Sequence, residues 1–419
     1  MNDRPSWLAV TLADVRRAAT AIAGAIRPSP MIASAALGAE IGGEVFLKLE
    51  TLQPTGSFKE RGALNKLLTL DAAQRRVGVV AMSAGNHAQG VAFHARRLGI
   101  PATIVMPEAT PFTKIDRTEA LGATVVLKGA GLVEARQAAD ALAQQRGLTL
   151  VHPYDDAAVI AGQGTIALEM LAEYPELDML VVPTGGGGAL SGIAVAANGL
   201  NPAIDIVGVQ CALYPSMVRL VRGEPPGLPA EGATLAEGIA VKEPGRLTRQ
   251  IVETLVGDLR VVDEAQLEAA VEFLIERHKL VVEGAGAAGV AAMRADPARF
   301  RGKRVGIVLT GGNIDSRLLA SILMRSLVRG GRLVRLRCDL PDVPGALSQV
   351  SGIVGGKGGN IVEVHHQRLF HDTSVKRAEL DLVIETQNRR HVETIIAALT
   401  AAGFPTHLLA NTPEGGGEA

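Results

Sequence analysis

Residues 55–62 read Thr55-Gly56-Ser57-Phe58-Lys59-Glu60-Arg61-Gly62 and place one lysine between a short turn and a predicted helix from Arg61 to Leu70. Positive potential near a helix N-terminus lowers the pKa of an amine, so Lys59 could act as a nucleophile and later as a base. Most lysines are solvated surface residues, however, and this turn alone is a weak indication of catalysis. The interpretation of Lys59 therefore depends on the loops that accompany it.

A small polar loop follows the predicted strand from Val77 to Met82. It reads Ser83-Ala84-Gly85-Asn86-His87 and leads into a helix that extends to Leu98. Backbone N–H groups and the helix dipole at such a junction can bind an anion, and a substrate carboxylate would fit there. An ordinary strand-to-helix turn capped by Asn86 is an equally good interpretation of these residues alone.

Four consecutive glycines follow a second apolar strand, which runs from Met179 to Thr184. The loop consists of Gly185, Gly186, Gly187, Gly188 and Ala189, and a helix follows it. Because glycine has no Cβ, successive amides can turn inward around a phosphate at the start of the helix. No Gly-Lys-Ser/Thr ends this loop, which excludes a nucleoside triphosphate loop. We favour a phosphate site over flexible filler, since filler rarely lies between a buried strand and a helix.

A second glycine-rich run, Gly284 to Gly289, formally matches the dinucleotide-binding fingerprint. That fingerprint also requires an acidic residue at the end of the next strand. The next strand, Arg304 to Leu309, ends in Thr310-Gly311-Gly312-Asn313 instead. We therefore interpret the run as small residues that let a helix pack closely on a sheet. Thr310 places a hydroxyl at the C-terminal end of a strand, where open α/β sheets bind ligands.

The composition suits helices packed closely on a buried parallel sheet and excludes several other classes of protein. The chain has 419 residues, of which 47% are hydrophobic and 3% aromatic, and its net charge of −1 gives no attraction to nucleic acid or anionic lipid. Only Cys211 and Cys338 are present, which excludes a disulfide framework and a cysteine-based zinc site. Residues 179–197 are apolar but contain Pro183 and the glycine loop, so we expect no membrane span and a cytoplasmic protein.

Alternating strands and helices predict a mostly parallel α/β catalytic domain over residues 1–325, with a smaller lobe at about 50–155. Residues 326–332 read as a linker. The pattern beyond it, over 333–410, predicts a ferredoxin-like βαββαβ domain, and residues 411–419 a disordered tail.

Several motifs in one order resemble the threonine dehydratases (threonine ammonia-lyases), which are fold-type II pyridoxal-phosphate enzymes with a C-terminal ACT-type domain. The resemblance extends from about Leu52 to Leu409. The motifs are Gln53 to Lys59, Ser83 to His87, Gly162-Gln163-Gly164-Thr165, Gly185 to Gly188, Glu237-Gly238-Ile239 and Gly311-Gly312-Asn313.

The resemblance implies pyridoxal 5'-phosphate as the cofactor and assigns roles to individual residues. Lys59 would be the Schiff-base lysine and the base for the α-proton, and Phe58 would lie against the cofactor ring. Asn86 would bond the ring 3-hydroxyl, residues 185–189 would bind the phosphate, and Ser83 to His87 the substrate. Thr310 would face the ring nitrogen, where the family usually has serine. The implied reaction converts threonine to 2-oxobutanoate and ammonia, or serine to pyruvate.

Three further expectations concern the alternatives and the regulation of the enzyme. A serine racemase needs a second acid–base group on the opposite face of the cofactor, and Ala84 at that place cannot transfer a proton. Relatives with a divalent cation carry acidic residues on the segment after the glycine loop, where this chain has Gln210, Ala212, Tyr214 and Ser216, so we expect no metal site. In the C-terminal domain the resemblance implies an amino-acid effector and a dimer or tetramer. The expected effector-binding residues are Gly345, Ala346, Leu347, Asn360 and Ile361.

Overall fold

The computed structural model describes residues 9–225, 232–367 and 376–409. Two compact units are present, the first ending at Ile314 and the second beginning at Asp315. The predicted tail at 411–419 lies outside the described residues. Within the described ranges, no helix has the length and apolar character needed to cross a membrane.

The first unit contains two β-sheets surrounded by helices. Its strands are β1 (Met31–Ala33), β2 (Glu44–Leu49), β3 (Val79–Met82), β4 (Ala102–Met106), β5 (Thr124–Leu127), β6 (Thr149–Leu150), β7 (Met179–Pro183), β8 (Asp205–Cys211), β9 (Asp258–Val262) and β10 (Arg304–Leu309). Its helices are α1 (Leu12–Ile22), α2 (Ala35–Ile41), α3 (Lys59–Leu68), α4 (Ala72–Val77), α5 (Asn86–Leu98), α6 (Phe112–Ala120), α7 (Leu132–Arg146), α8 (Ala157–Glu173), α9 (Gly188–Leu200), α10 (Ser216–Val221), α11 (Arg246–Leu255), α12 (Glu264–His278) and α13 (Gly284–Ala295). Short 3₁₀ turns lie at Glu50–Leu52, Glu237–Ile239 and Pro297–Phe300.

Both sheets are parallel except for one strand. The six-stranded sheet has the order β1-β2-β10-β7-β8-β9, in which β1 alone is antiparallel, and the four-stranded sheet has the order β5-β4-β3-β6. This confirms the predicted two-lobed α/β architecture. Strand β10 lies between β2 and β7. The loops that follow these three strands therefore emerge at one edge of the large sheet, and they carry Lys59, the glycine loop and Thr310.

Small residues let the helices of the first unit pack at close range. A Cβ at Gly192 on α9 would lie 2.2 Å from the carbonyl oxygen of Ile160 on α8. A Cβ at Gly289 on α13 would lie 2.7 Å from a methyl group of Ile307 on β10. Residues 284–289 thus lie in a helix packed on the sheet, in agreement with the structural interpretation of that run.

The second unit begins with α14 (Ser316–Arg329) and continues as β11 (Leu333–Pro341), α15 (Ala346–Gly356), β12 (Asn360–Gln367), β13 (Arg377–Glu385), α16 (Arg389–Ala401) and β14 (Thr406–Leu408). The sheet order β12-β13-β11-β14 is antiparallel throughout, and the βαββαβ arrangement is the predicted one. The boundary between the units falls before α14, earlier than expected, and α14 covers residues 326–329 of the expected linker. The charged residues and glycines at 326–332 lie at the end of a helix. The end of a helix and a linker have similar local composition.

Candidate active site

Lys59 occupies the first position of α3, directly after Phe58. The half-buried side chain donates a hydrogen bond from Nζ to the carbonyl oxygen of Pro153 at 2.9 Å, and Nζ lies 5.1 Å from the centre of the Phe58 ring. Burial lowers the pKa of the Lys59 amine to about 8, while the nearby Glu283 carboxylate acts in the opposite direction. The amine can therefore lose its proton near neutral pH. Burial is the largest cause of this shift, and not the helix N-terminus from which it was expected.

The glycine loop connects β7 to α9 and is lined with unpaired donors. Gly187 has a φ of +93°, which is accessible to glycine at little cost. Within the described part of the chain, no acceptor pairs with the backbone N–H groups of residues 185–189. A Cβ at Gly186 would lie 2.4 Å from the Tyr154 ring, so the loop also requires glycine for packing. Unpaired amides at a helix N-terminus form an anion site.

Asn86, the first residue of α5, is held by two residues that are distant in sequence. Its Nδ2 donates to Glu283 Oε1 at 2.7 Å, and its Oδ1 accepts from Asn313 Nδ2 at 2.8 Å. Asn313 Nδ2 also donates to the carbonyl oxygen of Thr55 at 2.7 Å. A Cβ at Gly311 would lie 2.5 Å from Glu283 Oε1, so glycine at that position admits the carboxylate. These contacts join the loop before α5 to the turn that precedes Lys59.

Thr310 lies beside the Lys59 turn. The backbone N–H of Phe58 donates to the carbonyl oxygen of Thr310 at 3.1 Å, and Ser57 forms an isolated β-bridge with Gly311. Thr310 is 3% exposed, and its hydroxyl has no hydrogen-bond partner among the described residues. Because no protein group pairs with this hydroxyl, it is available to a bound group.

The loop before α5 is held in place by its own side chains. The buried His87 ring donates from Nε2 to the carbonyl oxygen of Val151 at 2.9 Å, and burial lowers its pKa to about 3. The ring is therefore neutral and fixed, which fits an orienting role better than proton transfer. Ser83 Oγ accepts from the N–H of Gly85 at 3.2 Å. The substrate-binding roles of Ser83 to His87 stay a prediction.

Glu283 is the residue of this site that sequence analysis missed. It is half-buried beside Asn86, and burial raises the pKa of its carboxyl to about 7, although the hydrogen bond from Asn86 acts against this. Its signal was a single acid at the end of the apolar run before α13. In sequence the segment matches only the form of a dinucleotide fingerprint, and nothing local indicates that Glu283 meets Asn86.

These residues fit pyridoxal 5'-phosphate. The amine of Lys59 can bond its aldehyde carbon, the amides of residues 185–189 can bind its phosphate, and the Thr310 hydroxyl can pair with its ring nitrogen. Among the described residues, no group of three or more His, Cys, Asp or Glu could hold a metal ion.

Comparison with known proteins identifies the family. Residues 22–311 match the family described as pyridoxal-phosphate dependent enzyme. An L-threonine ammonia-lyase of Thermotoga maritima is 43% identical over 400 residues, which cover 96% of this chain and all of that protein. A threonine deaminase isoform of Solanum lycopersicum superposes with a TM-score of 0.71 at 31% identity, covering 76% of this chain and 87% of that one. A maize serine racemase superposes with a TM-score of 0.71 at 33% identity, covering 77% and 99%. The chain belongs to the pyridoxal-phosphate dependent enzymes of fold type II.

Proposed function

We propose that the protein is a threonine ammonia-lyase that eliminates water from L-threonine, and also from L-serine. The observation that carries the proposal is the meeting of a half-buried Lys59 amine, an unpaired amide loop at 185–189 and a free Thr310 hydroxyl at one sheet edge. The similarity to an L-threonine ammonia-lyase over its whole length supports this substrate. The products are 2-oxobutanoate and ammonia from threonine, and pyruvate and ammonia from serine.

Pyridoxal 5'-phosphate held by Lys59 and the glycine loop supplies an electron sink for negative charge at the substrate Cα. Phe58 would lie against the ring, and Asn86, whose amide is held by Asn313 and Glu283, would bond the ring 3-hydroxyl. Thr310 offers the ring nitrogen a neutral hydroxyl. Because a hydroxyl does not force protonation of that nitrogen, it favours elimination over side reactions such as transamination.

Lys59 then acts as the general base of the reaction. With the cofactor bound, Lys59 Nζ would take the proton from the substrate Cα, and the β-hydroxyl would take up a proton and leave as water. The Ser83 and Gly85 N–H groups are paired within the protein, so those of Ala84, Asn86 and His87 would bind the substrate carboxylate at the N-terminus of α5.

A serine racemase is the alternative, and the resemblance to the maize enzyme makes it worth separating. Racemisation requires a proton donor on the opposite face of the cofactor. Ala84 has no such group, so we expect elimination from L-serine without D-serine. Chiral analysis of the amino acid that remains after partial turnover decides between the two.

The test of the proposed function is Lys59→Ala. We expect this variant to lose formation of 2-oxobutanoate from threonine, and its visible absorption band, while it keeps its circular dichroism spectrum. Lys128→Ala replaces an exposed lysine and serves as the matched control. A Lys59→Ala protein that releases 2-oxobutanoate at nearly the wild-type rate would exclude the proposal.

We also propose that the second unit is an ACT-type regulatory domain that binds an amino acid and makes the enzyme allosteric. The N–H groups of Gly345 and Leu347 have no acceptor in the described chain, and they open into α15, as an amino-acid carboxylate would require. Asn360 Nδ2 donates to Glu385 Oε2 at 2.8 Å, which leaves its carbonyl oxygen for a ligand amine. Isoleucine or valine is the proposed effector, and feedback by isoleucine would fit an enzyme of isoleucine biosynthesis. We further propose that the protein is a cytoplasmic homo-oligomer.

A further inference from the structure

The turn between β6 and α8, residues 152–155, contacts both halves of the proposed site. Its Pro153 carbonyl oxygen accepts the hydrogen bond from Lys59 Nζ. His152 Nδ1 accepts from the N–H groups of Tyr154 at 3.2 Å and Asp155 at 2.8 Å. Burial lowers the pKa of His152 to about 4, so Nδ1 remains an acceptor at neutral pH and keeps the turn in shape.

Asp155 caps a helix that is distant in sequence. Helix α11 receives no side-chain hydrogen bond from Gly245, its own N-cap residue. Instead, Asp155 Oδ2 accepts from the N–H of Arg246 at 3.0 Å, and Oδ1 accepts from Leu247 at 2.8 Å and Thr248 at 3.3 Å. A Cβ at Gly245 would lie 2.3 Å from Asp155 Oδ1, so this approach requires glycine. A carboxylate at a helix N-terminus pairs its orphan donors and complements its dipole.

The first turn of α11, which Asp155 caps, also holds the glycine loop in place. Thr248 is fully buried, and its Oγ1 donates to the carbonyl oxygen of Gly186 at 2.6 Å. In a trans peptide the C=O of one residue and the N–H of the next point in opposite directions. The peptide between Gly186 and Gly187 is trans, so fixing this carbonyl toward Thr248 turns the unpaired N–H of Gly187 away from α11.

We propose that Asp155 and Thr248 are positioning residues that hold the glycine loop in its phosphate-binding conformation relative to Lys59. The turn at 152–155 bonds the Lys59 amine at one end and caps α11 at the other, so amine and loop are fixed by one connected set of hydrogen bonds. This inference rests on the proposed function, because it takes the glycine loop as the site of the cofactor phosphate.

The test compares two probes on the full-length chain stripped of cofactor: pyridoxal 5'-phosphate and pyridoxal, which lacks the phosphate. Thr248→Val removes the hydroxyl with little change of shape, and Asp155→Ala removes the cap. We expect each to weaken binding of pyridoxal 5'-phosphate by about tenfold, the effect of one or two hydrogen bonds, and to leave pyridoxal binding unchanged. Thr248→Ser, which keeps the hydroxyl, should bind pyridoxal 5'-phosphate with the wild-type affinity.

Matched controls separate positioning from general destabilisation. Thr254→Val removes an exposed hydroxyl from the same helix, and Asp263→Ala removes the N-cap of α12, and both should bind the two probes as the wild type does. Unchanged affinity of Thr248→Val for pyridoxal 5'-phosphate, or an equal loss for both probes, would overturn the inference. Wild-type protein that binds neither probe would instead overturn the proposed function, and the inference with it.

Discussion

At the scale of single residues, Glu283 contributes to the dependence of protein stability on pH. Burial raises the pKa of its carboxyl from 4.5 to about 7, so the folded protein binds the proton more tightly than the unfolded chain. The stabilisation from this proton is fully present below pH 4.5 and is lost as the pH rises through about 7. Glu283→Gln keeps an acceptor for Asn86 without the charge. We therefore expect the variant to be more stable than the wild type at about pH 8, by about 1–2 kcal/mol, and the difference to disappear at low pH.

Thermal unfolding of cofactor-free protein across this pH range measures the effect. Glu176→Gln, which neutralises an exposed carboxylate, is the matched control and should follow the wild type. Parallel pH profiles for Glu283→Gln and wild type would show that Glu283 does not titrate in this window.

At the scale of elements, a buried ionic network close to Lys59 fixes α3 to α8 and to the 3₁₀ turn at Glu50–Leu52. Arg61 is fully buried and donates from Nε and Nη2 to Glu50 at 2.8 Å each, and from Nη2 to Glu169 on α8 at 2.8 Å. Burial acts to raise the pKa of the Glu50 carboxyl, but Arg61 lowers it below the ordinary value. Arg61→Met would leave Glu50 buried without its main partner. We expect a loss of about 3–5 kcal/mol in the free energy of unfolding.

The control is an ion pair at the protein surface. Arg304 Nε lies 2.6 Å from Glu44 Oε2, and both side chains are about half exposed, so Arg304→Met should cost less than about 1 kcal/mol. Urea denaturation followed by circular dichroism compares the two variants. The double variant Arg61→Met, Glu50→Met should recover part of the loss, and equal costs for the two single arginine variants would contradict the argument.

At the scale of the whole molecule, the prediction concerns regulation by the second unit. An effector can shift an equilibrium only by binding two states with different affinity, and such coupling is typically about 1–3 kcal/mol. We expect isoleucine or valine to shift the threonine saturation curve of the full chain. Asn360→Ala should weaken that response, and truncation after Ile314 should abolish it while activity remains. Steady-state kinetics with each amino acid provide the measurement.

Glu385→Gln is the matched control, since it keeps Asn360 and an acceptor for its amide. A full-length enzyme that responds to no amino acid, combined with a truncation that alters only the oligomeric state, would leave the second unit with a purely structural role.

The sequence by itself determined the local features of this protein. Lys59, the glycine loop and Thr310 each follow an apolar strand and precede or adjoin a helix, and such junctions can be read from a few adjacent residues. The βαββαβ order of the second unit, from β11 to β14, was predicted for the same reason, because hydrophobic periodicity and turn residues are short-range signals. Residues 326–332 were expected to be a linker, but residues 326–329 belong to α14, since a charged helix terminus followed by glycines resembles a linker.

Only the tertiary structure decided how these features meet. Parallel pairing brings the ends of β2, β7 and β10 to one edge, and it places Glu283 against Asn86 and Asp155 against the first turn of α11. None of these contacts can be predicted from the spacing of residues in the sequence. Each contact joins segments separated by many residues and depends on strand order and register. The low pKa of Lys59 was expected from its helix, but its main cause is burial. Burial is a property of the packed chain, because desolvation depends on every segment that covers the amine.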